Sequence, residues 1–156
     1  GEGPFPTEAF GVEAERLRGT GANPWDEYGT TTGRPRRCGW IDLVLLRYAI
    51  RINGLTELVL TKLDVLSGLE RIRLCTAYRD ADGRRHTELP YGPSDLAPFT
   101  AEYEDLDGWT EDVGAARLPD DLPAAARAYI ERISALTGVP VSLVSVGPER
   151  SQMIRL

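Results

Sequence analysis

Apolar and polar positions divide the chain into short elements separated by Gly- and Pro-rich punctuation. Leu58-Val59-Leu60 and Val141 to Val146 are short apolar runs and predict strands buried on both faces. Glu70 to Arg79 alternates Ile72 and Leu74 with charged residues, as a half-buried strand does. Asp82-Gly83 is a hairpin signal and predicts Arg84 to Leu89 as its antiparallel partner. From Trp40 to Asn53 the apolar residues Ile41, Leu43, Val44, Leu45, Leu46, Tyr48, Ile50 and Ile52 cover much of a helical circumference, which predicts a mostly buried helix. Asn53-Gly54 suits its left-handed end. A second helix has Asp121 as its cap and Pro123 early in its first turn. Ala126, Tyr129, Ile130 and Ile133 form its apolar face, and Gly138 closes it. A shorter helix is expected around Glu8–Leu17, followed by a loop from Gly19 to Asp26 with Asn23-Pro24 as a turn signal. Pro90 to Leu118 reads as irregular, with one strand near Ala101–Glu104, and Gln152–Leu156 fits a final short strand. Interleaved helices and strands predict an α/β fold: a mixed sheet, buried strands flanked by helices, and an antiparallel hairpin.

Composition narrows the functional classes. A length of 156 residues suits one compact domain. The net charge of −6 argues against a bulk nucleic-acid surface. No apolar run approaches the roughly 20 residues of a membrane span. The start, Gly1-Glu2-Gly3-Pro4, is neither a signal peptide nor an initiator Met, so the chain is expected to begin within a longer protein. Cys38 and Cys75 lie far apart with no partner at metal-ligand spacing. Buried free thiols in a reduced, cytoplasmic setting are expected. His86, the only histidine, falls in the charged run Arg84-Arg85-His86 and reads as a surface residue.

Three loops carry candidate chemistry. Thr61-Lys62-Leu63-Asp64 follows the Leu58–Leu60 strand, where open α/β sheets bind ligands. A carboxylate accepts two hydrogen bonds from guanine, N1–H and the N2 amine, a donor pair that adenine lacks. A lysine stem two residues earlier can cover the purine face. The competing reading is an ordinary surface turn. Gly29 to Arg37 offers three threonine hydroxyls, a permissive Gly33, and the bidentate forks of Arg34, Arg36 and Arg37. That set suits a small dianion; a solvated basic turn and a nucleic-acid contact are the alternatives. Ser145-Val146-Gly147-Pro148 ends the last buried strand and would let backbone N–H groups approach a base carbonyl, or simply turn the chain. The sequence contains no Gly-x-x-x-x-Gly-Lys-[Ser/Thr] phosphate loop. It shows no metal-ligand spacing and no nucleophile with a base partner.

Together these strings resemble the adenylosuccinate synthetase family. The matching segments are Gly3-Pro4-Phe5-Pro6-Thr7-Glu8, Gly29 through Asp42, Leu60 through Leu66, Cys75-Thr76-Ala77-Tyr78-Arg79, Tyr129 through Ile133, and Gly138-Val139-Pro140 through Ser145-Val146-Gly147-Pro148. They occur in family order over nearly the whole chain and correspond to the C-terminal part of a longer protein, with a P-loop-NTPase-like fold. The resemblance implies a GTP-dependent ligase of purine biosynthesis. The γ-phosphoryl group of GTP passes to O6 of IMP, and L-aspartate then displaces the phosphate, with Mg²⁺ assisting.

It also implies residue roles. Thr30, Thr31, Thr32, Gly33, Arg34, Pro35 and Arg36 match the aspartate loop (about 29–37). Arg34 also matches an IMP contact. Arg36, Lys62, Leu63, Asp64, Ser145, Val146 and Gly147 match GTP contacts, in guanine loops at 61–64 and 145–148. The family's general base, catalytic histidine, phosphate loop and Mg²⁺ ligands belong to its N-terminal part. No catalytic or metal-binding residue is therefore expected here, and the chain alone is expected to be inactive. Gly19 to Asp26 is longer than the family pattern leads one to expect. Full-length members are homodimers. Two other readings stay open: a non-catalytic guanine-nucleotide-binding module, and a related ligase joining aspartate to another acceptor.

Overall fold

The computed structural model describes residues 3–89 and 96–156. Three α-helices, α1 (Gly11–Arg18), α2 (Leu43–Asn53) and α3 (Ala124–Thr137), accompany seven strands: β1 (Ile41–Asp42), β2 (Leu58–Leu60), β3 (Leu69–Arg79), β4 (Arg85–His86), β5 (Thr100–Trp109), β6 (Val141–Ser145) and β7 (Met153–Arg155). They form two mixed sheets. In one, β3 pairs with β5 and β4 antiparallel and with β1 parallel. In the other, β6 is central, with β2 parallel and β7 antiparallel. One core joins both sheets to α3 through Trp40, Leu43, Ile72, Trp109, Ile133 and Val144. Among the described residues no helix is long and apolar enough to cross a membrane.

Local chemistry explains the element ends. Asp42 caps α2 by accepting the N–H groups of Val44 and Leu45, both at 3.0 Å, and it also accepts the hydroxyl of buried Tyr78. Gly54 ends α2 in the left-handed region and Gly138 ends α3 likewise. Arg47 staples α2 to its surroundings by donating to the carbonyls of Thr76 (2.7 Å), Thr87 (2.6 Å) and Leu136 (3.3 Å). Gly39 lies so close to the N-terminal segment that a Cβ would meet the Thr7 carbonyl oxygen at 2.2 Å. Asp42→Ala removes the cap and Tyr78's acceptor together. It is expected to lower stability by more than the roughly 1 kcal/mol of an ordinary cap, with Asp42→Asn losing less. An unchanged urea midpoint for the alanine variant would argue against this.

Several expectations need correction. The helix predicted from Trp40 begins at Leu43, and only Leu43 and Val44 are buried in it; Leu45, Tyr48 and Ile52 face outward. Apolar residues over much of its circumference did not make it a core helix, because it packs on one side only. The β2 strand is not buried on both faces: it has β6 as its partner on one side, and Val59 is exposed. Asp121 does not cap α3, whose cap position is Pro123; its carboxylate instead accepts the N–H groups of Arg117 and Leu118. Cys38 is only half-buried. His86 is partly buried, within 2.7 Å of Asp80 and edge-on to Phe99.

The largest miss is β5. The sequence predicts a short strand near Ala101–Glu104 and an antiparallel partner of β3 at Arg84 to Leu89; that partner forms, as β4. The strand runs ten residues, while β4 has two. Its acidic residues disguise it, and arginines neutralise them: Arg73 pairs with Asp105, Arg79 and Arg85 with Glu102, and Arg132 with Glu104. The stretch expected to be irregular from Pro90 lies in part (90–95) outside the described residues.

Candidate functional site

The Thr61–Asp64 loop leaves the end of β2 through a strained backbone. Lys62 is the only non-glycine residue with positive φ among the described residues (φ 62°, ψ 39°). That conformation costs on the order of 1 kcal/mol and persists only when its surroundings hold it. Lys62 N–H donates to Ser145 Oγ at 2.9 Å, while Leu63 is buried in the core. The loops at 61–64 and 145–147 are thus joined directly. Val146 N–H donates to the Gln152 carbonyl at 2.9 Å, and the Gln152 side chain, packed against Gly147, donates to the Gly114 carbonyl at 3.2 Å.

Asp64 follows Leu63 in the short helical turn Leu63–Leu66. Its Oδ1 is buried and has no hydrogen-bond partner among the described residues. Burial pushes its carboxyl above the usual aspartate range, and nearby Asp112 adds to this. A hydrogen bond from its own backbone and the charge of Lys62 work in the opposite direction. A buried carboxylate oxygen without a hydrogen-bond partner is an incomplete arrangement that an incoming N–H group would complete.

The Gly29–Arg37 loop is a closed turn. Gly29 N–H donates to the Arg34 carbonyl at 2.8 Å, and Gly33 N–H donates back to the Gly29 carbonyl at 2.7 Å. Gly33 has φ 62°, which a side chain would strain. Tyr28 and Pro35 pair across its base. Thr30, Thr31, Thr32 and Arg34 are exposed along it. Phe5, Gly29, Thr32, Arg34 and Arg36 line a cleft of about 890 Å³. Arg37 is committed to the fold: it grips Glu8 with two nitrogens (2.8 and 2.6 Å), donates to the Gly3 carbonyl (2.6 Å) and lies over the Phe5 ring.

Glu27 connects the two regions, and sequence reasoning missed it. One carboxylate oxygen pairs with Lys62, and the other lies 3.1 Å from Arg36. These contacts, Lys62 first, hold its carboxyl below the usual glutamate range against the opposing effect of burial. Its charge between two basic loops was the available signal, but nothing in linear order brings position 27 to 62. Glu27→Ala should release the Arg36 side chain and leave Lys62 Nζ held by the Trp25 carbonyl alone. Because the pairs are partly exposed, the direct stability cost should not exceed about 1 kcal/mol. The clearer readout is a loss of protection from backbone hydrogen exchange at positions 27–36; unchanged exchange would show that the contact is incidental.

The structure therefore brings Lys62, Leu63, Asp64, Ser145, Val146 and Gly147 together and reaches Arg36 through Glu27. Of the predicted aspartate loop, Thr32, Arg34, Pro35 and Arg36 line the neighbouring cleft, while Thr30, Thr31 and Gly33 do not. Cys75 offers no nucleophile, since burial pushes its thiol up to about 12. Among the described residues no group of three or more His, Cys, Asp or Glu side chains could hold a metal ion.

A family model described as adenylosuccinate synthetase matches residues 1–154. The chain is 54% identical over 156 residues to adenylosuccinate synthetase of Acidothermus cellulolyticus, covering all of this chain and 36% of that protein. It is 54% identical to that of Thermobifida fusca, again over its whole length and 35% of the relative. A solved structure of fully ligated adenylosuccinate synthetase from Plasmodium falciparum superposes with a TM-score of 0.91 at 40% identity, covering all of this chain and 37% of the other. The chain spans about a third of the length of the relatives it matches. By the match along nearly its entire length, this chain belongs to the adenylosuccinate synthetase family.

Proposed function

We propose that the chain is the C-terminal portion of a GTP-dependent ligase that joins IMP and L-aspartate to form adenylosuccinate, and that it supplies the guanine- and aspartate-binding elements. In this reading the Lys62 stem covers the base, and Asp64 accepts hydrogen bonds from guanine N1–H and N2. Backbone groups of Ser145–Gly147 meet the other side. Arg36 approaches the nucleotide, while Thr30–Arg34 hold the aspartate carboxylates, with Arg34 reaching IMP as well. The γ-phosphoryl group moves from GTP to IMP O6. The aspartate amine then attacks C6, phosphate leaves, and the amine proton goes to a base. That base, the phosphate loop and the Mg²⁺ ligands are proposed to lie in the part of the family chain that this one does not span. A cytoplasmic homodimer is the proposed state of the whole protein.

The observation that carries the reading is the buried, unpartnered Asp64 oxygen beside the Lys62–Ser145 link. The test is calorimetric titration of the chain with GDP and with ADP. GDP-selective binding is expected, and equal affinity for the two would reject it. Incubated with GTP, IMP, L-aspartate and Mg²⁺, the chain alone is expected to yield no adenylosuccinate. Product formation would overturn the assignment of the catalytic groups to another part.

A further inference from the structure

The Gly19–Tyr28 stretch has no role in the reading above, although it folds against the guanine loop. A second cleft, of about 170 Å³, is lined by Arg18, Gly19, Trp25, Asp26, Lys62 and Asp64. It therefore holds both proposed base readers and one aromatic side chain.

The loop that carries Trp25 is built firmly. The Asp26 carboxylate accepts the N–H groups of Gly21 (2.9 Å) and Asn23 (3.1 Å). Glu27 N–H donates to the Arg18 carbonyl at 2.8 Å, which ties the loop's end back to α1. Gly19 has φ 81°, and a Cβ there would meet Asp26 Oδ1 at 2.4 Å. Lys62 then fastens the tip, donating from Nζ to the Trp25 carbonyl at 2.9 Å while pairing with Glu27 on the other side. The ammonium that ends the stem over the base is thus tied to Trp25's own backbone.

The Trp25 side chain is 48% exposed, whereas Trp40 and Trp109 are 7% and 3% exposed. A large π face lining the cleft, beside a lysine and a carboxylate with one unpartnered oxygen, has the chemistry of a stacking platform.

Resting on the guanine reading, we propose that Trp25 is a base-stacking residue that closes the Lys62–Asp64 cleft over a bound purine, so that the 19–28 loop forms a third wall of the site. Stacking is tolerant of base identity, so Trp25 contributes affinity while Asp64 contributes selectivity. The two roles separate experimentally.

Intrinsic fluorescence gives a direct readout, because Trp25 is the exposed indole among three. GDP titration of the 156-residue chain is expected to quench the long-wavelength emission. Trp25→Ala should remove that quenching and weaken GDP binding by about tenfold, leaving the GDP-to-ADP preference unchanged. Trp25→Phe should retain most of the affinity, which guards against a folding artefact. Asp64→Asn should lose the preference but keep the quenching by whichever nucleotide still binds. Calorimetric GDP binding with unaltered affinity in Trp25→Ala, or quenching that survives that substitution, would overturn the role of Trp25 and leave the guanine site standing. No GDP binding by the parent chain would overturn both.

Discussion

Asp64→Asn is expected to abolish the preference for guanine over adenine nucleotides and to weaken GDP binding on the order of a hundredfold. A carboxylate offers two acceptor oxygens to the N1–H and N2–H donors. The amide keeps one oxygen and turns an N–H₂ group toward another donor. Two charge-assisted hydrogen bonds are replaced by at most one neutral bond and one donor clash, a loss of about 3 kcal/mol or more. The fold should tolerate the change, because Oδ1 has no internal partner to lose. Calorimetry with GDP and ADP measures the effect, and an unchanged GDP affinity would remove Asp64 from the site.

The same carboxyl sets a pH dependence. Its value in the folded chain is raised by burial. As pH falls it therefore protonates earlier than an exposed aspartate would, and GDP affinity should start to decline above the usual aspartate range. Its own contribution to stability has the opposite sign. The cost of ionising Asp64 in the fold grows as pH rises through the ordinary aspartate value and is complete above the raised one. Acidification thus relieves this group's strain on the fold while it weakens binding. Glu27 behaves conversely: its lowered carboxyl contributes stability above the ordinary glutamate value, and that is lost as pH falls through the lowered one.

Arg34→Lys in the whole enzyme is the second large expectation, a loss on the order of a hundredfold in kcat/KM for L-aspartate. The planar guanidinium can grip a carboxylate through two parallel bonds and reach a second ligand with its remaining donors, whereas an ammonium is a single point charge. Arg34 is exposed on a loop closed by its own backbone, so the substitution should not disturb the fold. Steady-state kinetics with varied aspartate provides the test, with the KM for GTP as the control. Equal losses for both substrates would point to a general distortion, and no loss would exclude the residue from aspartate binding.

Legibility in the sequence followed the range of the forces involved. The apolar face of α3 (Ala126, Tyr129, Ile130 and Ile133) was read correctly because a helix displays its core side at a fixed period. Gly54 and Gly138 were read as helix ends because a left-handed cap is a local demand on one residue. The β5 strand was largely hidden. Glu102, Glu104 and Asp105 have poor strand propensity in isolation, and their neutralisation depends on arginines that lie about 20 to 30 residues away in the chain. The exposure of α2's outer face and of Val59 was invisible for a related reason: hydrophobic content states what a segment prefers to bury, and packing decides whether anything covers it.

The sequence by itself determined the string Thr61–Asp64 proposed to read guanine, the threonine- and arginine-containing turn at 29–37, the small loop after β6, and the family these belong to. Each depends on the identity of a few consecutive residues, which chemistry constrains directly. Only the tertiary structure decided that Lys62 is held in a left-handed backbone by Ser145, that Glu27 ties it to Arg36, that Asp64 keeps an oxygen without a partner, and that Trp25 faces the same cleft. Those relations join residues up to 83 positions apart. They exist only once burial of the core has brought the ends of β2 and β6 side by side.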